Sequence, residues 1–270
     1  MPNDYASDFY LTRADGSALV GGGHNDASTG LAVTRGSVLD FFHVPTGKHV
    51  AFKAMINSFN DQYTSEWSAE SVYGRMDPIS QFQGTQRVIS LDWDVVAGSV
   101  EEAKRNMNKI QMLMSMLYPT YEASSGGSSA TLISTAPLFK FKFGNFAMDS
   151  SKGSEAAAAR AEEAGLVGYI AGFTFEPDFE SGIMEDLNGT FGGPISGMGH
   201  FFPQHIKLSA EFTVLHTHKL GFEGSDKRNP NFPYGANMGG ATGPSGADES
   251  PTASELEEWE EAMGIEIGGA

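Results

Sequence analysis

The sequence predicts a β-rich α+β domain, a split β-barrel or sandwich flanked by one main α-helix, with extended N- and C-terminal arms. Three observations carry this expectation. Five stretches alternate apolar and polar residues at period two, one long stretch repeats apolar residues at spacings of three and four, and both ends are rich in Gly, Ser and acidic residues.

Composition sets the outer bounds. A chain of 270 residues, 40% hydrophobic and 11% aromatic, can bury a sizeable core. No apolar run approaches the roughly 18 residues of a membrane span, and Met1-Pro-Asn-Asp-Tyr5 lacks the layout of a signal peptide, so a soluble protein made in a cytoplasm, with no membrane partner, is expected. The absence of cysteine excludes disulfides, thiolate metal sites and a Cys nucleophile. A formal charge of −17 disfavours phosphate-gripping nucleic-acid binding but suits a surface past which DNA moves without sticking. Asp248, Glu249, Glu255, Glu257, Glu258, Glu260, Glu261 and Glu266 supply −8 of that charge, with no Lys or Arg from Asp248 to the end.

Residues 1–48, with Gly21-Gly22-Gly23 and only short apolar pieces at Leu31–Val33 and Val38–Phe42, read as an arm ordered against something else. Residues 49–220 read as the β domain. Val50, Phe52, Ala54 and Ile56 line one face of a strand from His49 to Phe59; residues from Asn60, including the Trp67–Ile79 segment, then form a long excursion of the kind that is functional or interfacial. In Thr85–Val96, Ile89, Leu91, Trp93 and Val95 face one way, and Gln86, Ser90, Asp92 and Asp94 the other. Ser99 opens a helix with Glu102 completing a capping box; its apolar stripe is Val100, Ala103, Met107, Ile110, Met114 and Leu117, and Pro119 stops it.

After a flexible Ser124–Ala130 connection, Thr131–Ser134 and Leu138–Phe146 read as strands, the latter with Phe139, Phe141 and Phe143 on one face. A short helix within Ser154–Ala164 precedes a strand from Gly165 to Glu176, aligning Val167, Tyr169, Ala171, Phe173 and Phe175. Glu180–Phe202 is loop, and His205–Leu215 carries Ile206, Leu208, Ala210, Phe212 and Val214 on one face. Residues 221–270 form an extended Gly/Pro-rich acidic tail. Its short helix, Ser254–Met263, places Leu256, Trp259 and Met263 on one side, a face that folds back or docks on a partner.

Few constellations suggest chemistry. His216-Thr-His218 has a spacing metal sites use, with His200, His205 or an acid as further ligands, but nothing in the spacing requires them, and solvent or interface histidines at a strand end are the better account. Asp92 with Asp94, and Glu176, Asp178 and Glu180, are carboxylate groups without EF-hand spacing, and a wet sheet face explains them. The glycine clusters match no phosphate loop, and Gly193-Pro-Ile-Ser-Gly197 is no nucleophile elbow. No catalytic residue, cofactor or metal site is assigned. Trp67, Tyr73, Arg75, Asp77 and Pro78 have the composition of an inter-subunit hot spot; alternatively the rings fold over the end of the barrel and Arg75 pairs with Asp77 locally.

Trp67 and Val72-Tyr-Gly-Arg-Met-Asp-Pro-Ile79, Thr85-Gln-Arg87, Ala103 to Asn106, Tyr118-Pro-Thr-Tyr121, Pro137-Leu138 and Phe143-Gly-Asn145 together resemble structural proteins of contractile-tailed bacteriophages, over about residues 50–220. The resemblance implies a tail-tube-like fold and a homo-oligomeric ring, expected to be a hexamer, in the tube or at its baseplate end as initiator or hub. It further implies neighbouring tail and baseplate proteins as partners, a virion location after assembly in the host cytoplasm, and a DNA-conducting lumen faced by Asp92 and Asp94. A neck or head–tail connector component, another virion protein, and a small-molecule-binding β-barrel are the alternatives.

Overall fold

The computed structural model describes residues 5–9, 27–71, 73–74, 76–121, 133–185, 201–223, 226–227, 229 and 231–235. The fold is β-rich, with few helices and one large antiparallel sheet that is not closed into a barrel. Short helices α1 (Ala6–Phe9) and α2 (Ala27–Arg35) precede strands β1 (Val38–His43), β2 (Lys48–Lys53), β3 (Met55–Glu70) and β4 (Ile79–Val96). Then come α3 (Val100–Met116), β5 (Thr120–Tyr121), β6 (Ile133–Thr135), β7 (Phe139–Phe143), α4 (Ala161–Ala164), β8 (Leu166–Glu185), β9 (Phe201–Val214), β10 (Phe222–Glu223) and β11 (Asp226–Lys227). The main sheet runs β2-β1-β7-β8-β9-β4-β3, and β5–β6 and β10–β11 form separate two-stranded ladders.

The two edge strands of the main sheet, β2 and β3, are separated in the chain by Ala54 alone. Consecutive Cα atoms lie about 3.8 Å apart, so the sheet must curl until its two edges meet at that corner. The curl brings distant strands together: Trp93 on β4 lies 5.9 Å, ring to ring, from both Phe41 on β1 and Phe52 on β2, and Phe141 on β7 stacks on Phe41 at 4.9 Å. Ile110, Leu113 and Met116 of α3 complete this core.

The helix follows its caps closely. The Ser99 hydroxyl accepts from Glu102 N, and the Glu102 carboxylate accepts from Gly98 N at 2.9 Å, one residue earlier than a standard capping box. Its buried stripe is Ala103, Ile110, Leu113 and Met116, whereas Met114 is exposed. A helix repeating every 3.6 residues drifts off a fixed spacing, and the curled sheet meets the later part of the drift.

Three expectations are corrected by the sheet. β1 lies within the stretch expected to be an arm, yet all six of its residues are buried. One face meets the aromatic core; the other is covered by α1, α2 and α4, where Asp40 accepts from Tyr5 Oη at 3.2 Å and Ala161 N at 3.1 Å. The excursion expected from Asn60 to Ile79 is mostly strand, since β3 continues to Glu70 and pairs with β4 from Ile79 onward. β8 does not keep one parity: a register shift between Ile170 and Gly172 places Ile170, Phe173 and Phe175 against the core and leaves Tyr169 exposed. β8 also runs past Glu176 to Glu185, and β9 begins at Phe201. Gly21–Gly23, Ser124–Ala130 and the acidic helix of the tail lie outside the described residues.

Candidate assembly interface

Four strands, β8-β9-β4-β3, form an antiparallel sheet with one greasy and one polar face. The inward series on β4 is Val95, Trp93, Leu91 and Ile89, matched on β9 by Ile206, Leu208, Ala210, Phe212 and Val214, as the alternation predicts. The next inward residue on β4 is Arg87, and the apolar series ends there.

Arg87 and Asp61 form a bidentate pair, Nε to Oδ1 at 2.9 Å and Nη2 to Oδ2 at 2.7 Å, with side chains only 1% and 4% exposed. Tyr63 Oη and Tyr234 Oη both donate to Asp61 Oδ2, at 3.3 and 3.0 Å. The guanidinium lies against both the Tyr63 and Phe232 rings, 5.2 and 5.9 Å from their centroids, and the rings meet each other edge-on at 6.1 Å. Burial, opposed by Arg87 and reinforced by Asp61, holds the Tyr63 phenol well above its ordinary range. The segment 231–235 therefore straps the root of the β3–β4 hairpin to the domain. Sequence reading missed this cluster because its parts come from residues 61–63, 87 and 229–235, which nothing local connects.

Beyond Arg87 the hairpin projects as an arm. From Gln62 to Glu70 every residue of β3 is exposed, and β4 from Ile79 to Phe82 is exposed too. These stretches are rich in Ser, Thr, Gln and Glu, which hold a ladder but bury little. Trp67, 61% exposed, packs edge-on against Phe82 at 5.3 Å on the same arm and does not fold over the end of the sheet. At the tip Tyr73 and Met76 are fully exposed, Asp77 and Pro78 are exposed, and Gly74 takes φ of 89°, a conformation side chains resist. Arg75, Leu256, Trp259 and Met263 lie outside the described residues.

A second hairpin, β8–β9, projects from the opposite end of the sheet. The row Tyr63–Arg87–Val214–Gly168 marks the level where the β3–β4 arm leaves; the row Val96–His205–Asp178 marks where β8–β9 leaves, with Phe179, Ile183 and Phe201 exposed. The strands approach closely at Gly168, where a Cβ would meet the Phe212 ring at 2.7 Å.

The sheet has a free backbone edge on each side. No strand pairs with the outer edge of β3, and β7 pairs with β8 only at Leu166–Gly168, so Tyr169–Glu185 is unpaired on that side, both among the described residues. The two free edges overlap in level over Met55–Gln62 and Tyr169–Glu176. Neither stretch contains Lys, Arg or Pro, the residues that blunt edges.

The polar face carries Asp92, Asp94, Glu176, Asp178 and Glu211 against Lys207 and His205. Asp92 is exposed and Asp94 partly so. Lys207 lies in register between Asp94 and Glu176, beside a shallow depression of about 230 Å³ lined by Asn57, Asp92, Thr174 and Ser209. His205 stands between Asp178, 3.1 Å from Nδ1, and Asp94, 3.3 Å from Nε2. The Ser181 hydroxyl, then His205 and the backbone N–H of Glu180, hold the Asp178 carboxyl down to about 2. The remaining histidines diverge: His216 packs on Phe232, while His218 faces Asp149 and Asn229. Among the described residues no group of three or more His, Asp or Glu is placed to hold a metal ion, and no helix is long and apolar enough to cross a membrane.

Compared with known proteins, the chain matches no protein-family model and no curated protein sequence.

Proposed function

We propose that this chain is a ring-forming structural subunit of a phage tail, in the tube or at its baseplate end. The observation that carries the reading is the four-stranded sheet with an unpaired edge on each side at the same level. Because β3 and β8 run in opposite directions, β8 of one copy and β3 of the next can pair antiparallel, extending the sheet from copy to copy. The two edges differ, so the contact is head-to-tail and closes into a ring when the rotation allows.

Six copies would join about 24 strands; at ~4.8 Å per strand the backbone circle is roughly 37 Å across before strand tilt widens it. The greasy face is already covered by α3 and the rest of the curled sheet, so the acidic face with Asp92 and Asp94 would line the lumen. That lining repels phosphate and lets DNA pass. The arms, at opposite ends, would reach the rings above and below. The sequence resemblance over residues 50–220 supports the assignment to a tail, in preference to a small-molecule barrel, and the aromatic filling of the interior points the same way.

Light scattering after gel filtration, followed by negative-stain imaging, tests the reading. Rings whose formation is lost on Ser58→Lys with Asn60→Lys, within the overlapping edge of β3, are expected. A chain that remains monomeric at hundreds of micromolar, alone and with co-expressed tail proteins, would overturn it.

A further inference from the structure

The molecule is strongly acidic, yet one groove is cationic. It lies between α3 and the edge strand β2, has a volume of about 340 Å³, and presents Arg105, Asn108, Lys109 and Met112 from the helix opposite His49 and Val50 from the strand. The helix residues fall at spacings of three, four and seven, so they form one stripe along the groove. Asp8 also lines the groove, 3.2 Å from His49 and 2.8 Å from Arg160, so Arg105 and Lys109 are the helix cations that face it. Lys109 donates to Ala51 O at 2.8 Å and places its ammonium 4.2 Å from the centre of the Phe9 ring, which fixes the charge beside the groove. Met112 is 41% exposed, an apolar spot in this charged setting.

We infer that this groove is the docking site for the chain's own acidic C-terminal segment, Ser254–Met263. The segment is the complement in both respects. Leu256, Trp259 and Met263 fall at spacings of three and seven, an apolar stripe matched to Met112, and Glu255, Glu257, Glu258, Glu260 and Glu261 surround it with no Lys or Arg. Distance sets no obstacle: the 18 residues 236–253 span up to about 60 Å when extended, enough to reach the groove of the same copy or a neighbour. Docking covers the cationic stripe, buries Trp259, and neutralises part of the tail's charge. The inference stands apart from ring formation and holds for a monomer as well as an assembly.

The chain has no cysteine, so pairs of introduced thiols report proximity without background. The full-length double variant Met112→Cys with Ala262→Cys should form a disulfide under mild oxidation about tenfold faster than Phe222→Cys with Ala262→Cys, because docking raises the local concentration. Phe222 is exposed and off the groove. Adding Arg105→Glu, or raising salt, should remove that advantage. A band at monomer mass or at double mass both place the segment in the groove, and tell which copy supplies it. Asn108→Cys replaces Met112→Cys if that variant does not fold, judged by circular dichroism. Equal rates for groove and control pairs, or a fast rate unaffected by Arg105→Glu and salt, would overturn the inference.

Discussion

β1 and the outer half of β3 are strands of the same sheet with opposite surroundings. Every residue of β1 is buried, on one face by the aromatic core and on the other by the N-terminal helices and α4. From Gln62 to Glu70 no residue of β3 is buried on either face. The first strand is held by what covers it; the second is held by its ladder with β4 and by the Arg87–Asp61 anchor at its root. The outer half of β3 contributes nothing to the core and keeps a bare edge, the kind of backbone row that other strands can pair with.

Substitutions should separate the two regions. In the covered half, Trp93→Ala leaves a cavity among Phe41, Phe52 and Phe173 and should cost about 3–5 kcal/mol in urea unfolding. Arg87→Met, at the boundary, strands a buried Asp61 carboxylate and should cost in the same range, about 3–5 kcal/mol. If it cost less than ~1 kcal/mol, the root of the arm would not depend on that pair. Ser99→Ala removes the α3 cap and should cost about 1 kcal/mol, without affecting assembly. On the arm, Trp67→Lys should change stability by no more than about 0.5 kcal/mol while weakening association seen by light scattering. A large stability loss there would erase the distinction between the halves.

The smallest effect concerns the layer over β1. Hydrogen bonding to Asp8 raises His49 above its usual 6.5, despite burial. Burial pushes Asp8 up, but the His49 hydrogen bond and the Arg160 guanidinium outweigh it and hold Asp8 low. The His49 contribution is complete below 6.5 and lost as pH rises through its elevated folded value. Hydrogen exchange at Tyr5–Phe9, corrected for the intrinsic rate, should therefore speed up as pH rises across that window, and His49→Gln should flatten the response.

The same contrast explains what could be read from the sequence. β9 and the inner half of β4 were legible because one face is buried and one is wet, which writes period two into the residues. β1 was not, because a strand buried on both faces reads as an apolar run, Val38-Leu-Asp-Phe-Phe42. The arm reads as loop because Ser, Gln and Glu outnumber its rings, and a ladder needs no buried side chains. α3 and its cap were legible to the residue, while its buried stripe drifted to Leu113 and Met116. Tyr73, Asp77 and Pro78 do sit together at an exposed tip, but the Arg87–Asp61–Tyr234 anchor depended on a return of the chain over 173 positions that no local pattern announces.

The continuity of β2 and β3 through Ala54 gives the molecule a direct load path. Tension applied to the arm passes along a single backbone into β2, an edge strand held by its Lys48–Lys53 ladder with β1. Pulled along its length, that ladder resists in shear, with its hydrogen bonds strained together instead of unzipping one by one. Force applied to the arm thus reaches a strand that packs Val50 and Phe52 into the core.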